Sequence, residues 1–255
     1  MSKIVILAGK DISTNIIYNA LKDEFNIDRV IIENPVPRSR FLKNRIKRLG
    51  ILTVIGQILF MMIIVPILEI TSKRRKSEIC SQFEMNLSPI DPTKVLHVES
   101  VNLEQSLSTL SKINPSVVII NGTRILSKKI LQSINAEFIN MHAGITPQYR
   151  GVHGGYWALV DRSPDLCGVT IHLVDPGIDT GGILKQGIIS PSSNDNYVTY
   201  PLLQIGTGIP LLIKSVTEIL EAQFSPTSTQ NGESKLWSHP TLWQYIWNRF
   251  TKGVK

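Results

Sequence analysis

Cysteine is scarce in this chain, with only Cys80 and Cys167 among 255 residues. Two cysteines do not build a disulfide framework, and no spacing of Cys and His typical of a zinc site occurs. The amino-terminal apolar run in MSKIVILAGK is too short for a signal peptide. These features predict a cytoplasmic protein with no bound metal.

The sequence also lacks the glycine-rich fingerprints of common nucleotide-binding loops. After the first predicted strand it reads Gly9-Lys10-Asp11-Ile12-Ser13, which matches neither GxGxxG nor GxxxxGK[ST]. NAD-dependent dehydrogenases and P-loop kinases are therefore disfavoured. This segment either presents the amides of a helix N-terminus to an anion or is an ordinary turn between strand and helix.

Acidic residues are almost missing between residues 38 and 76. This segment holds ten lysines and arginines against the single acid Glu69, whereas the rest of the chain holds 17 basic and 19 acidic residues. Proteins that bind nucleic acid usually spread positive charge around their binding groove. The confinement of charge to one segment predicts that nucleic acid is not a partner.

The basic clusters flank one long apolar run, Ile51–Ile70, whose length suits a transmembrane helix. Because both flanks are basic, no charge asymmetry would orient a span. A span would also place strands of one predicted sheet on opposite sides of a bilayer. We expect instead a helical insertion at about residues 38–77. It packs on its own domain or a partner subunit, such as a second copy in a homodimer, or lies on anionic lipid at the inner membrane face. Pro66 is expected to kink or end its helix.

Elsewhere, short apolar runs alternate with helical patterns, which is typical of a parallel sheet with crossover helices. The predicted strands cover residues 3–7, 29–32, 94–97, 117–121, 138–141, 167–174 and 183–189. Predicted helices begin at a Ser13 or Thr14 cap, cover residues 103–113, and cover residues 198–224 with breaks at Pro201 and Pro210. A polar connector is expected over residues 77–94.

The sequence therefore predicts an α/β fold, a Rossmann-like, mostly parallel, twisted sheet flanked by helices. We expect a main domain of residues 1–205 that carries the insertion. A short C-terminal annex of residues 206–255, with a tryptophan-rich tail, is expected to pack on this domain.

Polar side chains and glycines concentrate at two predicted strand ends. The first segment is INMHAGITPQYRG, in which Asn140 and His142 face the same way because they lie two residues apart on a strand. The second, DPGIDTGGI, holds Asp179 in a loop that joins two strands. Ligands of open α/β sheets bind at the carboxyl ends of the strands. We expect the amide, imidazole and carboxylate to meet in one cleft there.

Such a trio suits acyl transfer without a nucleophilic side chain. An Asn N–H and a protonated imidazole can hold the oxyanion of a tetrahedral intermediate. A nearby carboxylate would raise the pKa of the imidazole and accept the proton that an attacking amine must lose. No serine lies in a nucleophile elbow, and neither cysteine has an evident base. His172, inside a strand, is expected to be a hydrogen-bonded core residue.

The run NMHAGITPQYRG followed by GVTIHLVDPGIDTGGILKQ resembles the folate-dependent formyltransferase family. That group includes glycinamide ribonucleotide, methionyl-tRNA and nucleotide-sugar amine formyltransferases. The resemblance is strong from about residue 115 to residue 186 and absent through residues 38–77. It implies the formyltransferase fold and transfer of a formyl group from 10-formyltetrahydrofolate to a primary amine.

The resemblance also implies roles for individual residues. Asn140, His142 and Asp179 match the catalytic positions of the family. Two loops match those that hold the folate, and their implied contacts are Arg124, Ile125, Leu126, Val174, Asp175 and Gly177. The substrate-side loop of the family corresponds to Tyr149, Arg150 and Gly151.

Within the family, the acceptor amine is expected to belong to a nucleotide-linked amino sugar used for cell-surface glycans. Methionyl-tRNA enzymes carry a second, barrel-shaped domain, for which little chain follows Gln186. Glycinamide ribonucleotide enzymes of purine synthesis resemble this chain in size, but Asp11 in the first loop would oppose a phosphate. They remain the alternative, and an inactive, membrane-associated scaffold of the same fold is the second.

Overall fold

A computed structural model describes residues 2–227 and 233–255, apart from the side chain of Arg40, so the predicted tail residues 228–232 lie outside the described part. The strands are β1 Ile4–Gly9, β2 Ile27–Glu33, β3 Val95–Val98, β4 Val117–Asn121, β5 Glu137–His142, β6 Arg150–Gly151, β7 Gly168–Leu173, β8 Ile183–Ile188 and β9 Leu236–Trp237. The α-helices are α1 Ile12–Leu21, α2 Arg38–Leu49, α3 Ile51–Leu59, α4 Val65–Thr71, α5 Lys73–Gln82, α6 Glu104–Ile113, α7 Lys128–Leu131, α8 Gly154–Val160, α9 Tyr200–Leu220 and α10 Leu242–Lys252. Short 3-10 turns cover Pro92–Lys94 and Pro164–Leu166.

The main sheet has seven strands in the order β3-β2-β1-β4-β5-β7-β8. The pairs from β3 to β5 are parallel, whereas β7 runs antiparallel to both β5 and β8. The predicted Rossmann-like, mostly parallel sheet and its seven strands are confirmed. Because β1, β4 and β5 all point the same way, their carboxyl ends lie at one edge of the sheet.

Helices cover both faces of this sheet. Along β1, Ile4, Ile6 and Ala8 enter one apolar cluster with α1 and α9, while Val5 and Leu7 enter the opposite cluster with α6 and α7. All five side chains are fully buried. The alternation follows from the two-residue period of a strand, and burial on both faces explains why the run contains no polar residue.

A third apolar cluster joins the insertion to the rest of the chain. It packs Phe60 against α8 and α10, with the ring of Phe60 4.8 Å from that of Tyr197 and 5.1 Å from that of Tyr245. On the same side, Arg75 of α5 forms a bidentate hydrogen bond with Asp195, whose side chain is fully buried. The insertion therefore packs on its own domain, which was one of the predicted arrangements.

The structure corrects several details of the predicted helices. Asp11, and neither Ser13 nor Thr14, caps α1, because its carboxylate accepts the Ser13 N–H at 2.8 Å. The helical insertion continues through α5 to Gln82, so the polar connector is shorter than predicted. A π-helical turn, Phe60–Ile64, precedes Pro66, and the helix continues past this proline to Thr71.

Helix α9 is continuous, although breaks at Pro201 and Pro210 were predicted. Pro201 lies in the first turn, where a missing N–H costs no hydrogen bond, and Pro210 lies inside the helix. Packing of the buried Leu212 and Val216 in the core cluster with α1 and β1 stabilises the helix in spite of Pro210. The boundary predicted between residues 205 and 206 falls inside this helix.

Candidate active site

The carboxyl end of β5 and the loop between β7 and β8 bring Asn140, His142 and Asp179 together. The Asn140 amide nitrogen lies 3.5 Å from Asp179 Oδ1, and His142 Nδ1 lies 3.4 Å from Asp179 Oδ2. Asp179 itself has φ 52°, a left-handed conformation that turns its carboxylate back over the strand end. The predicted meeting of amide, imidazole and carboxylate is thus observed.

The imidazole of His142 is held in one orientation by the backbone. Its Nε2 donates a hydrogen bond to the Tyr149 carbonyl at 2.7 Å, which leaves Nδ1 facing Asp179. Burial lowers the pKa of His142 below its usual range, and the nearby Asp179 carboxylate offsets only part of that effect. The expectation of a raised pKa was therefore wrong, because desolvation outweighs the charge of the partner. At neutral pH, His142 Nδ1 is a free base.

Asp179 is the charged member of the group. Burial raises the pKa of Asp179, but His172, His142 and the Gly151 N–H together outweigh burial and hold it below its usual range. The Gly151 N–H donates to Oδ2 at 2.9 Å. Arg150 supports the same loop by donating to the Ile178 carbonyl at 3.0 Å. The site therefore holds a carboxylate beside a neutral imidazole.

His172 is buried and hydrogen-bonded, as the sequence predicts, and it also belongs to the site beside Asn140 and Asp179. Its Nδ1 donates to the Leu173 carbonyl at 2.7 Å, so Nε2 accepts from the Asn140 amide at 3.2 Å. Nε2 also lies 3.6 Å from Asp179 Oδ1. A signal for this second role was available, since His172 and Val174 are two residues apart on one predicted strand and share a face. The placement of Val174 at the folate loop already put His172 beside it.

These side chains open into a cavity of about 400 Å³. Every predicted folate contact lies on its wall: Arg124, Ile125, Leu126, Val174, Asp175 and Gly177. Arg124 contributes its backbone, because its guanidinium turns away to pair with Glu33. Asp175 Oδ1 accepts the Gly177 N–H at 2.9 Å, which shapes the opposite loop.

Only part of the predicted substrate-side loop lines the cavity. Gly151 lines the cavity, whereas Tyr149 and Arg150 do not. The Tyr149 side chain is buried and its ring lies 5.8 Å from that of Trp237, so it packs the loop from behind. Tyr149 reaches the site only through the carbonyl that fixes His142.

The insertion and the tail form a further wall of the cavity, which no sequence pattern indicated. Arg45 and Arg48 of α2 line the cavity together with Trp237 of β9. Arg45 donates to the Gln57 side-chain oxygen at 2.8 Å, and the Gln57 amide donates to the His239 carbonyl at 2.6 Å. The insertion and the tail are thereby joined above the site. Only the tertiary structure places α2 there, because nothing in its sequence pattern marks the site.

Arg45 and Arg48 bring positive charge to the cavity that no described carboxylate neutralises. Neither residue forms an ion pair within residues 2–227 and 233–255. Burial lowers the pKa of Arg45, and the charge of Arg48 lowers it further. A partly buried cation without a counter-ion favours an anionic ligand.

Other candidate chemistries find less support in the described residues. Burial raises the pKa of the Cys167 thiol to about 12, so this cysteine is a poor nucleophile. No group of three His, Cys, Asp or Glu side chains that could hold a metal ion occurs in the part of the chain that the structure describes. The arrangement fits proton transfer and charge stabilisation around a bound electrophile.

Comparison with known proteins agrees with this chemistry. The family model described as "Formyl transferase" matches residues 69–199, just over half of the chain. The chain belongs to the formyl transferase family. A methionyl-tRNA formyltransferase from Thermodesulfovibrio yellowstonii is 32% identical over 136 residues, which are 53% of this chain and 44% of that protein. The chain thus spans about half the length of the curated relatives that it matches.

Solved structures of formyltransferases share the fold. A sugar N-formyltransferase from a Shewanella species superposes with a TM-score of 0.57 at 17% identity, covering 92% of this chain and 76% of that one. A phosphoribosylglycinamide formyltransferase from Streptococcus pneumoniae gives a TM-score of 0.55 at 19% identity, with 86% and 99% covered. An N-formyltransferase from Helicobacter canadensis, solved with folinic acid and dTDP-3-aminofucose, gives 0.53 at 18% identity, with 93% and 71% covered.

Proposed function

We propose that this formyltransferase-family protein transfers a formyl group from 10-formyltetrahydrofolate to the primary amine of a nucleotide-linked amino sugar. The observation that carries the proposal is the meeting of Asn140, His142 and Asp179 in a cavity that Arg45 and Arg48 also line. The first three residues supply the chemistry of transfer. The two arginines supply the charge that a diphosphate requires.

The transfer requires a base and a hydrogen-bond donor. The acceptor amine attacks the formyl carbon, a new C–N bond forms, and the old bond from that carbon to the donor nitrogen breaks. Asp179, with His142 Nδ1 3.4 Å away, takes the proton that the amine loses. The amide of Asn140 donates to the oxygen that gains negative charge, once its contacts with His172 and Asp179 give way to the substrate.

The walls of the cavity suit the flat heteroaromatic ring of a folate. The cavity is lined by Ile125 and Leu126, which follow β4, and by Val174, which follows β7. Apolar walls with a few polar groups are typical of such sites. The structure from Helicobacter canadensis that contains folinic acid shares this fold, which supports a folate as formyl donor.

The charge of the cavity supports a phosphate-bearing acceptor. Arg45 and Arg48 have no described acidic partner, and guanidinium groups bind phosphate oxygens in a bidentate manner. The dTDP-3-aminofucose bound in the structure from Helicobacter canadensis is a nucleotide-linked amino sugar. The segments beyond the insertion carry no excess of positive charge with which to hold a tRNA.

The proposal is tested with a panel of acceptors. The full chain is supplied with 10-formyltetrahydrofolate and with nucleotide-linked amino sugars, glycinamide ribonucleotide or methionyl-tRNA, and the release of tetrahydrofolate is followed. We expect turnover with at least one amino sugar. Turnover with glycinamide ribonucleotide alone would support the purine-synthesis alternative, and turnover with methionyl-tRNA alone would support the activity of the sequence relatives. No turnover with any amine would favour the scaffold.

The arginines should act on acceptor binding and not on the chemical step. We expect Arg45→Gln and Arg48→Gln to raise KM for the nucleotide-linked acceptor by about 10-fold each, because a charge-assisted hydrogen bond to phosphate is lost. Their kcat should change by less than about threefold. Steady-state kinetics with saturating folate measures both constants.

The matched control is Lys47→Gln, which removes one exposed cation from the same helix but lies outside the cavity wall. Its KM should stay near the value of the unmodified protein. Equal effects of all three substitutions would show that only the net charge of α2 matters, and the assignment of Arg45 and Arg48 would fail.

A further inference from the structure

Two exposed apolar stripes lie outside the active-site cavity. The first follows α3, the π-helical turn and α4, where Leu52 is 73% exposed and Met62 is 70% exposed. The second follows α10, where Trp247 is 67% exposed and Phe250 is 82% exposed. The remaining members, each at least 39% exposed, are Ile51, Ile55, Met61, Ile63, Ile67, Ile70, Trp243 and Ile246. Large apolar side chains gathered in this way indicate an interaction surface.

The two stripes form one continuous surface although they are far apart in the sequence. Trp243 of α10 packs directly over Gly56 of α3, so closely that a Cβ atom at Gly56 would overlap the indole. On the buried side, Phe60 contacts Tyr245, and their ring centroids are 5.1 Å apart. The outer sides of α3 and α10 therefore face solvent next to each other. We call the exposed residues of α3, the π-helical turn, α4 and α10 the docking face.

The spacing within α10 supports an interfacial position. Trp243, Ile246, Trp247 and Phe250 recur at intervals of three and four residues, so they form a single stripe on the outer side of the helix. The opposite side holds the buried Tyr245 and makes the contacts with the domain. Tryptophan and phenylalanine beside lysine and arginine are typical of helices that lie in a membrane interface.

Charge complementarity identifies the surface that this face would meet. Apart from Arg45 and Arg48 of the cavity wall, the segments of residues 38–71 and 242–252 together carry six lysines and arginines and the single acid Glu69. Lys43, Lys47 and Arg249 are exposed in these segments. A second copy of the chain would bring a like-charged surface to the contact, whereas anionic lipid headgroups attract every one of these cations.

The packing of α3 and α4 favours a helix that lies on a bilayer over one that crosses it. Residues 51–71 are long and apolar enough to span, and so are residues 200–220, by length and composition. However, Val54, Phe60 and Leu68 are buried against the domain along the whole length of the first segment. Crossing a bilayer would remove all of these contacts.

We propose that the docking face seats the protein on the surface of an anionic bilayer. In this position the apolar side chains enter the boundary between headgroups and acyl chains, and the basic side chains bind the lipid phosphates at the rim. Membrane binding through this face does not depend on the formyl transfer proposed above, because no residue of the cavity wall belongs to the docking face.

The test is cosedimentation of the full chain with vesicles. One set is pure phosphatidylcholine and the other holds about 30% phosphatidylglycerol, near the charge of an anionic membrane. We expect binding to the anionic vesicles that weakens with added salt, and at least about 10-fold weaker binding to the neutral ones. The double variant Trp247→Asp with Phe250→Asp should lower partitioning to anionic vesicles at least about 10-fold.

The matched control is Leu103→Asp, which puts an acid at another exposed apolar position, the N-cap of α6, a helix that packs in a different apolar cluster from α3, α4 and α10. It should bind vesicles like the unmodified protein. Because both aromatic side chains of the double variant are mostly exposed, its circular dichroism and melting temperature should stay close to those of the control. Unchanged vesicle binding by the double variant would overturn the proposal. So would a lipid-free dimer that this variant dissociates, since a second copy would then cover the face.

Discussion

Replacing Asp179 by Asn should lower kcat/KM for formyl transfer by about 10³-fold. The neutral amide cannot accept the proton of the attacking amine and cannot stabilise an imidazolium at His142. The substitution keeps the size of the side chain and an oxygen that can accept the Gly151 N–H, now 2.9 Å from the carboxylate. The loss should therefore appear in the chemistry and not in the fold. Steady-state kinetics with the accepted amino sugar measures it.

The control for this variant is Asp165→Asn, which removes an exposed carboxylate 14 positions away in the chain. Its kinetics should match those of the unmodified protein. A second measurement is the acid limb of the pH profile. Asp179 raises the pKa of His142, so its removal should move that limb to lower pH. Residual activity within about tenfold of normal in Asp179→Asn would contradict the role given to this carboxylate.

Acid should destabilise the protein well above the pH at which carboxylates titrate. Burial lowers the pKa of His153 from 6.5 to about 3 and that of His239 from 6.5 to about 4. In the unfolded chain both take up protons below about pH 6.5, whereas in the folded protein they stay neutral. The unfolded state then binds more protons, so stability falls as pH decreases. We expect the free energy of unfolding to drop by about 4 kcal/mol between about pH 7.5 and about pH 5.

The variant that isolates this effect is His153→Asn. His153 has φ 56° and stacks on the ring of Tyr197 at 3.8 Å, and asparagine tolerates that backbone conformation. The slope of unfolding free energy against pH, measured by urea denaturation, should decrease by about a third to a half even if the variant is less stable throughout, because His142 and His239 still contribute. His97→Asn, at an exposed position in β3, should leave the slope unchanged. A flat wild-type profile in this range would refute the prediction.

The strands of the sheet could be predicted from the sequence because each strand is marked by its own short apolar run. Runs such as residues 4–8 and 117–120 are apolar at every position and short, which is typical of strands buried on both sides. The meeting of Asn140 with Asp179 was also predicted, because the glycine-rich loop that holds Asp179 can bend its carboxylate back over the sheet. The pairing of Asn140 with His172 was not, because it depends on β7 running antiparallel to β5.

The pKa of His142 and the position of Arg45 were not predicted correctly, because both depend on the folded structure. The direction of the pKa shift at His142 depends on how much burial outweighs the Asp179 carboxylate, and burial is a property of the folded chain. The position of Arg45 depends on contacts of Gln57 with residues about 180 positions later. Charge patterning located the basic segment, but only tertiary packing placed part of it on the cavity wall.

The insertion occupies the connection between β2 and β3, two neighbouring parallel strands at the edge of the sheet. Such a crossover can change in length and composition without shifting the register of β5, which carries Asn140 and His142. A change in this single connection can therefore alter the proposed acceptor binding or membrane contact while β5 and its side chains keep their positions.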